Sequence, residues 1–497
     1  MAHLNYNPVS LKDMAIRRLA AALFKESSIL ASISNFHSKF SPFDDYETPQ
    51  VWRETVEDKL LDEISKVGLP KSLKMLLIDI VKLMGRQVRG WKEFHEEYLH
   101  DSHGEEIHFD EPILEKLRWT AAGAVDYRKT AGELIHSDFI DIVKRYKLAC
   151  LYCMEDCIPM FWKELPSENK QYFCRKTDRR LQSGGLGLEF WWPYIIKGQE
   201  SNLDSLTRSN REDQISVYQY AFQCSAKKGN KAAAEYFFQK LKPEEKGDFL
   251  MSTTRTIVEF DFDWNRIFPL EKFSELFVYL LSVMTPDQQM RIFQELPFKV
   301  LRLFLKWPLQ DIFSEIAELI WDFLPKEDYN SVLSIIDGNF KDSDHYCLKL
   351  FEEFFNFIPP DFWNSFVDRQ CEKSSYFDDI LSENNIKALE IFFRSLDAAA
   401  RTRLVFSVPA LENFICCLSI GKRDVVEVCL REASFSMEDR KRLKEAFMGY
   451  LRSLQIGSVE LKTRKWSRYF HFLDETNEPS KRCSEDETRN DAKKRKT

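Results

Sequence analysis

A run of histidines and carboxylates offers the first chemistry to test. His95, His100, His103 and His108 lie among Glu96, Glu97, Asp101, Glu105 and Glu106. Imidazoles with a nearby carboxylate are the parts of a zinc hydrolase site. The spacing does not suit it. In "HEEYLH" the histidines are five residues apart, about 140° of helical rotation, whereas zinc-binding HExxH keeps both rings on one face. The plainer expectation is an acidic surface loop that follows a helix. Cys150, Cys153 and Cys157 in "ACLYCMEDCIP" are a second candidate metal set. Their spacing puts all three on one face of a helix, and no second pair follows at zinc-ribbon distance, so they read as small hydrophobes in a core. Gly184, Gly185 and Gly187 in "SGGLGLEFWWPY" lack the Gly-Lys-Ser/Thr of a phosphate loop and the preceding strand of a dinucleotide fold. They predict a turn between helices, with Trp191 and Trp192 packed or lining a groove. There is no nucleophile elbow, kinase signature or paired-carboxylate frame. No enzyme activity, cofactor, metal ligand or catalytic residue is assigned on these residues; a helical metal-dependent enzyme using the His95–His108 region is the rival reading.

The C-terminal segment carries a different signal. Lys481 and Arg482 are followed by Lys493, Lys494, Arg495 and Lys496. Two basic clusters on an unfolded segment resemble a bipartite nuclear import signal, able to enter two acidic pockets of an import receptor. From Thr476 the chain has no large apolar residue, so residues 476–497 are expected to be a disordered tail. Its basic residues are interleaved with acids, which disfavours direct nucleic-acid binding; a nucleic-acid adaptor acting through the tail is a further alternative. The whole chain points the same way, with 71 Lys and Arg against 79 Asp and Glu and a net charge of −8, a poor balance for a general polyanion binder.

The elements that would hold any site are helical. The chain has 497 residues, 44% hydrophobic and 30% charged, with only 16 Gly and 18 Pro but 40 Phe. That composition excludes wholesale disorder and disfavours loop-rich all-β folds, and the length exceeds one ordinary domain. No run is long and apolar enough to span a membrane. The start lacks a convincing secretory signal, and 11 cysteines, an odd number, fall mostly within apolar helical patterns. Reduced thiols in an intracellular protein of the nucleus, the cytoplasm or both are therefore expected.

A degenerate unit recurs in the C-terminal half. "FFQKLKPEEKGDFL" begins at Phe237, "LLSVMTPDQQMRIF" at Leu280, "LIWDFLPKEDYNSVL" at Leu319, "EFFNFIPPDFWNSFV" at Glu353 and "FFRSLDAAARTRLV" at Phe392. The starts are 43, 39, 34 and 39 residues apart. Pro243, Pro286, Pro325 and Pro359 hold one frame position, with Ala398 the exception. Proline there ends one helix and opens the next, and the acids behind it suit the positive helix end. Apolar residues at Phe273, Phe277, Leu280, Leu281 and Met284, and at Ile312, Ile316, Leu319, Ile320 and Phe323, predict one wide stripe per first helix. Nothing alternates with period two. A lone helix pair cannot cover its apolar face, so neighbours must stack.

"QYAFQCSAKKGNKAAAEYFFQKL" from Gln219 and "ALENFICCLSIGKRDVVEVCLREA" from Ala410 each read as helix, glycine turn and helix, with Gly229 and Gly421 in the turns. The stretch from Gly421 to Ala433 resembles the second helix of an ankyrin repeat, and over roughly residues 140–450 the chain is similar to degenerate ankyrin-like αα-repeat proteins, among them uncharacterised arthropod repeat proteins. The Thr-Pro-Leu-His opening of ankyrin repeats is absent, and the resemblance implies no functional residue. The expected fold is all-α: an αα-hairpin repeat solenoid with irregular, ankyrin-like repeats of about 34–43 residues. The expected divisions are an N-terminal helical segment (1–45), diverged helical repeats (46–200), the solenoid proper (201–475) and the tail (476–497). Such rods bind other chains. The expected function is a non-enzymatic interaction scaffold or adaptor, with a protein partner along its concave helical surface and an import receptor at the tail.

Overall fold

A computed structural model describes residues 10–37, 47–100, 107–175, 187–207, 215–259, 268–340, 344–358, 366–368, 380–381 and 386–453. Among these residues every regular element is helical, and the single β-type contact is an isolated antiparallel bridge between Trp119 and Val125. The chain is all-α. It divides into two compact units, Met1–Phe357 and Ile358–Thr497.

The principal helices of the first unit are α1 (Leu11–Leu23), α2 (Ser27–Ser34), α3 (Asp58–Lys66), α4 (Lys71–Leu99), α5 (Tyr127–Ile135), α6 (Ile142–Leu151), α7 (Leu188–Ile196), α8 (Glu200–Thr207), α9 (Val217–Lys227), α10 (Lys231–Lys240), α11 (Pro243–Glu259), α12 (Leu270–Ser282), α13 (Pro286–Glu295), α14 (Pro297–Phe304), α15 (Phe313–Ile320), α16 (Asp328–Phe340) and α17 (Asp344–Phe357). The second unit has α18 (Ile386–Ser395), α19 (Ala398–Val405), α20 (Val408–Ser419), α21 (Arg423–Glu432) and α22 (Met437–Ser453).

Local chemistry accounts for many of the boundaries. Pro243 opens α11 and Pro286 opens α13, where a missing N–H costs nothing. Thr285 and Gln288 close a reciprocal capping box ahead of α13. Pro325 instead starts a turn, and α16 begins at Asp328, whose N–H donates to the Pro325 carbonyl. Pro359 lies outside the described residues.

One closure recurs at helix ends. Gly198, Gly229 and Gly421 have φ of +64°, +78° and +85° and follow α7, α9 and α20. In each case the next residue's N–H reaches back five residues: Gln199 to Tyr194, Asn230 to Ser225 and Lys422 to Cys417, at 2.8, 2.9 and 2.8 Å. This is the Schellman closure, in which a left-handed residue satisfies carbonyls that the helix leaves open. α6 ends the same way on Cys153, with φ +49° and Met154 N–H on the Ala149 carbonyl at 2.9 Å. Cys150 is therefore the only one of the three candidate cysteines inside α6; Cys153 sits in the closure and Cys157 precedes the next helix. The expected single cysteine face is corrected. The left-handed turn at Cys153 breaks the 100° rotation on which that face depends.

The first α12 stripe is buried throughout: Phe273, Phe277, Leu280, Leu281 and Met284. The second departs from expectation. Ile312, Ile316 and Ile320 are buried, but Leu319 is 44% and Phe323 39% exposed. Residues Leu309–Ile312 and Trp321–Phe323 are 3₁₀ segments on either side of α15. Phe323 lies in the second of these, where a turn advances about 120° per residue and the 3.6-residue period does not carry; Leu319 lies within α15 itself, and ordinary helical rotation turns it off the edge of the face formed by buried Phe313, Ile316, Ala317 and Ile320.

Sequential helices pack together: α5 on α6, α7 on α8, α9 on α10, α11 on α12, α13 on α14, and α16 on α17. The second unit does likewise, with α19 on α20 and both α18 and α20 on α21. Arg431 of α21 pairs with Glu390 of α18 at 2.7 Å. The first unit also has a hub that sequence order does not supply. α4, 29 residues long, takes α1, α3, α6 and α17 against its surface. Its buried positions run from Leu76 to Leu99, as a central helix requires. Its buried Lys92 donates to the Phe36 carbonyl at 2.9 Å and pairs with Glu96 at 2.7 Å, and Glu96 accepts the Phe109 N–H at 2.6 Å. A second long-range tie joins buried Arg17 of α1 to Asp311 at 2.7 Å.

Candidate functional site

A cleft of about 290 Å³ opens in the first unit where segments remote in sequence meet. α5 contributes its first turn. Asp126 caps it by accepting the Lys129 N–H at 3.0 Å. α10 contributes its N-terminal end, where Asn230 accepts the Ala233 N–H at 3.1 Å and donates through Nδ2 to the Leu151 carbonyl at 3.0 Å. That second bond fixes the α9–α10 turn against the end of α6. α12 contributes Lys272 and Glu275.

Lys272 forms the floor. Its Nζ donates to the Val125 carbonyl at 3.2 Å and to Glu275 Oε1 at 2.7 Å, and it lies 3.9 Å from the centre of the Tyr127 ring. The three donors of one ammonium thus meet a carbonyl, a carboxylate and a π face, which offset the cost of burying the charge.

Behind this floor stands His95 of α4, fully enclosed. Its Nδ1 lies 2.7 Å from the Trp91 carbonyl, and its Nε2 lies 2.6 Å from the Tyr152 hydroxyl. A carbonyl only accepts, so Nδ1 bears the proton and Nε2 accepts from Tyr152. Burial, with some repulsion from the Lys272 ammonium, lowers the His95 pKa to about 3, against the opposing pull of the Trp91 carbonyl. Burial likewise pushes the Tyr152 hydroxyl well above its ordinary value, and the nearby Glu275 and Asp126 carboxylates add to this. The imidazole is neutral and the phenol protonated. Phe94, Tyr127 and Phe268 complete the aromatic wall, with Phe94 and Phe268 ring centres 4.4 Å apart.

The residues singled out by sequence fall elsewhere or apart. His95 has both nitrogens engaged in the core. His100 ends α4, His103 lies outside the described residues, and His108 packs its ring on His37 at 4.4 Å. Among the described residues no group of three or more His, Cys, Asp or Glu side chains is arranged to hold a metal ion. Cys150 and Cys153 are buried, and burial raises both thiols. Trp191 and Trp192 are packed in the core, and Trp192 Nε1 donates to the Cys150 carbonyl at 3.3 Å. Gly184 and Gly185, and the import residues Lys481, Arg482, Lys493, Lys494, Arg495 and Lys496, lie outside the described residues.

Sequence reading missed Tyr127, Tyr152, Asn230 and Lys272. A signal for Lys272 was present: a lysine in the first turn of a helix opposes the helix dipole. No motif links these residues, because each comes from a different segment.

No protein-family model matches the chain, and no curated protein matches it either. Among the described residues no helix is long and apolar enough to cross a membrane.

Proposed function

We propose that this protein is a non-enzymatic adaptor whose helix pairs form an irregular, ankyrin-like αα-repeat solenoid that recognises a protein partner. The observation that carries this reading is the repeated hairpin closure. Gly198, Gly229 and Gly421 each join two helices with the same left-handed turn and the same five-residue hydrogen bond. A unit used again with one turn chemistry and divergent faces is the construction principle of repeat proteins, whose exposed helix faces vary to suit a partner. The state of the polar core agrees with it. A neutral His95 with both nitrogens occupied and a protonated Tyr152 are positioned as structural partners. The nucleus and cytoplasm are the proposed locations, with Lys481, Arg482 and Lys493–Lys496 as the import signal.

The test uses the full chain. Small-angle scattering should report an elongated particle; a compact globular profile overturns the solenoid. Proximity labelling in cells should recover a partner that, once purified, protects hairpin faces from hydrogen exchange in a defined complex. A partner whose binding leaves every hairpin unprotected overturns the adaptor reading. Changing Lys493, Lys494, Arg495 and Lys496 to Ala in the full chain should remove it from nuclei, and unchanged nuclear accumulation overturns the import signal.

A further inference from the structure

Two exposed imidazoles meet beside α4. His37 follows α2, and His108 precedes the short helix Glu111–Leu114. Their ring centres are 4.4 Å apart, with the planes at 69°. The run of histidines in the sequence pointed from His108 to His95 instead. That pairing does not form, because His95 has both nitrogens engaged in the core. Only the packing of two remote segments on α4 sets His37 against His108.

The backbone beside each ring is fixed twice. Phe36 is buried edge-on against Trp52, with ring centres 4.9 Å apart, and buried Phe109 lies 5.1 Å from Trp91. Each histidine is thus the neighbour of a ring anchored in the core. The buried Lys92–Glu96 pair then ties the two segments to each other. Lys92 donates to the Phe36 carbonyl at 2.9 Å, and Glu96, one turn along α4, accepts the Phe109 N–H at 2.6 Å. A buried ion pair adds little stability, and its attested use is to fix a register. Here it fixes the residue before one imidazole and the residue after the other.

The separation suits a shared metal ion. A zinc–imidazole bond is about 2.1 Å and the ring centre lies about 1.1 Å behind the nitrogen, so two imidazoles on one ion at about 90–109° have centres about 4.5–5.2 Å apart. The observed 4.4 Å needs only a small rotation of either ring. Two aromatic rings packed edge-to-face reach similar distances. What packing alone does not call for is a pair of exposed imidazoles on separately anchored backbones. We propose that His37 and His108 together bind one divalent transition-metal ion, with water in the remaining positions. The ion clamps the chain beyond α2 to the segment ahead of Glu111, and Lys92 and Glu96 position its two ligands. Imidazole selects zinc, copper or nickel over calcium and magnesium, which prefer oxygen. The site goes beyond the adaptor reading, and either can stand without the other.

Isothermal titration of the full, untagged chain with zinc chloride tests it, with calcium chloride as the hard-cation control. His37→Ala and His108→Ala should each weaken zinc binding by about tenfold or more. The double variant should fall no more than about threefold below either single one, because a chelate is lost with its first ligand. His136→Ala, at another exposed histidine, should leave the affinity unchanged. Zinc should also slow hydrogen exchange around His37 and His108 in the native chain and not in the two single variants. Both replaced side chains are exposed, so the melting temperature without zinc should stay the same in every variant. No zinc binding, zinc binding that neither substitution moves, two independent sites each removed by one substitution, or calcium binding as tight as zinc overturns the proposal.

Discussion

Replacing Gly229 with Ala should be far more damaging than the same change at Gly421, although both residues close helix hairpins in the same way. Each has a φ near +80°, at +78° and +85°. A side chain in that left-handed region costs about 1–2 kcal/mol. At Gly421 nothing lies within 4 Å of an added Cβ, so the conformational cost is the whole cost. At Gly229 the same Cβ would stand 2.7 Å from Phe273 Cε2, 3.0 Å from Cδ2 and 3.2 Å from Cζ. Phe273 is a buried ring on α12 and cannot move into solvent. Forcing atoms into a filled core costs about 1–3 kcal/mol more. Gly229→Ala should therefore lose about 2–5 kcal/mol, and Gly421→Ala about 1–2 kcal/mol. Because the chain has two units, the suitable assay is native-state hydrogen exchange, read separately at the α9–α10 and α20–α21 hairpins. A Phe273→Leu change should recover part of the Gly229→Ala loss, giving a coupling of about 1 kcal/mol or more between the two sites. Equal losses at Gly229 and Gly421, or strict additivity with Phe273→Leu, would refute the reasoning.

Three further outcomes follow from the core. The unfolded chain protonates His95 near the ordinary histidine value of about 6.5, whereas the folded chain resists until about 3; its contribution is thus complete above the unfolded pKa and falls as pH drops between the two. The slope is about 1.4 kcal/mol per pH unit, or about 2 kcal/mol lost by pH 5. The groups facing the imidazole are Lys272 of α12, Tyr152 beyond α6, Tyr127 of α5, and the Trp91 carbonyl and Phe94 of α4. Urea unfolding of the first unit from pH 7.5 to pH 5 should show this slope reduced in His95→Gln, and parallel profiles would argue against a buried neutral imidazole. Asp311→Asn, which removes the 2.7 Å ion pair to the 2%-exposed Arg17, should cost about 3 kcal/mol in the first unit's unfolding free energy; a loss below about 1 kcal/mol would be the exposed-pair result instead. Among the described cysteines, exposed Cys416 should react with a thiol reagent in the native protein, while buried Cys150, Cys153 and Cys429, whose thiols burial raises, should react only on unfolding. Mass mapping of labelled peptides distinguishes the two classes.

The helical character of the chain was legible because its causes are local. Pro243 and Pro286 announce helix starts through a missing N–H, and the run Phe273–Phe277–Leu280–Leu281–Met284 places one stripe on one face by simple rotation. Gly229 and Gly421 could be read as turns because a left-handed backbone favours glycine. The same logic failed where local geometry changed without a sequence mark. Cys153 takes the left-handed closure without being glycine, and the 3₁₀ segment after α15 carries the exposed Phe323.

What the sequence determined by itself is the helical class and, for α12, the phase of its buried stripe, since hydrophobic period, proline and glycine act within a few residues. What only the tertiary structure decided is which helices meet. His95, Tyr127, Tyr152, Asn230 and Lys272 share one neighbourhood only because α4, α5, α6, α10 and α12 converge there. Their hydrogen bonds, the neutral imidazole and the Lys272 cleft arise from long-range packing and shared burial, and no spacing along the chain encodes these.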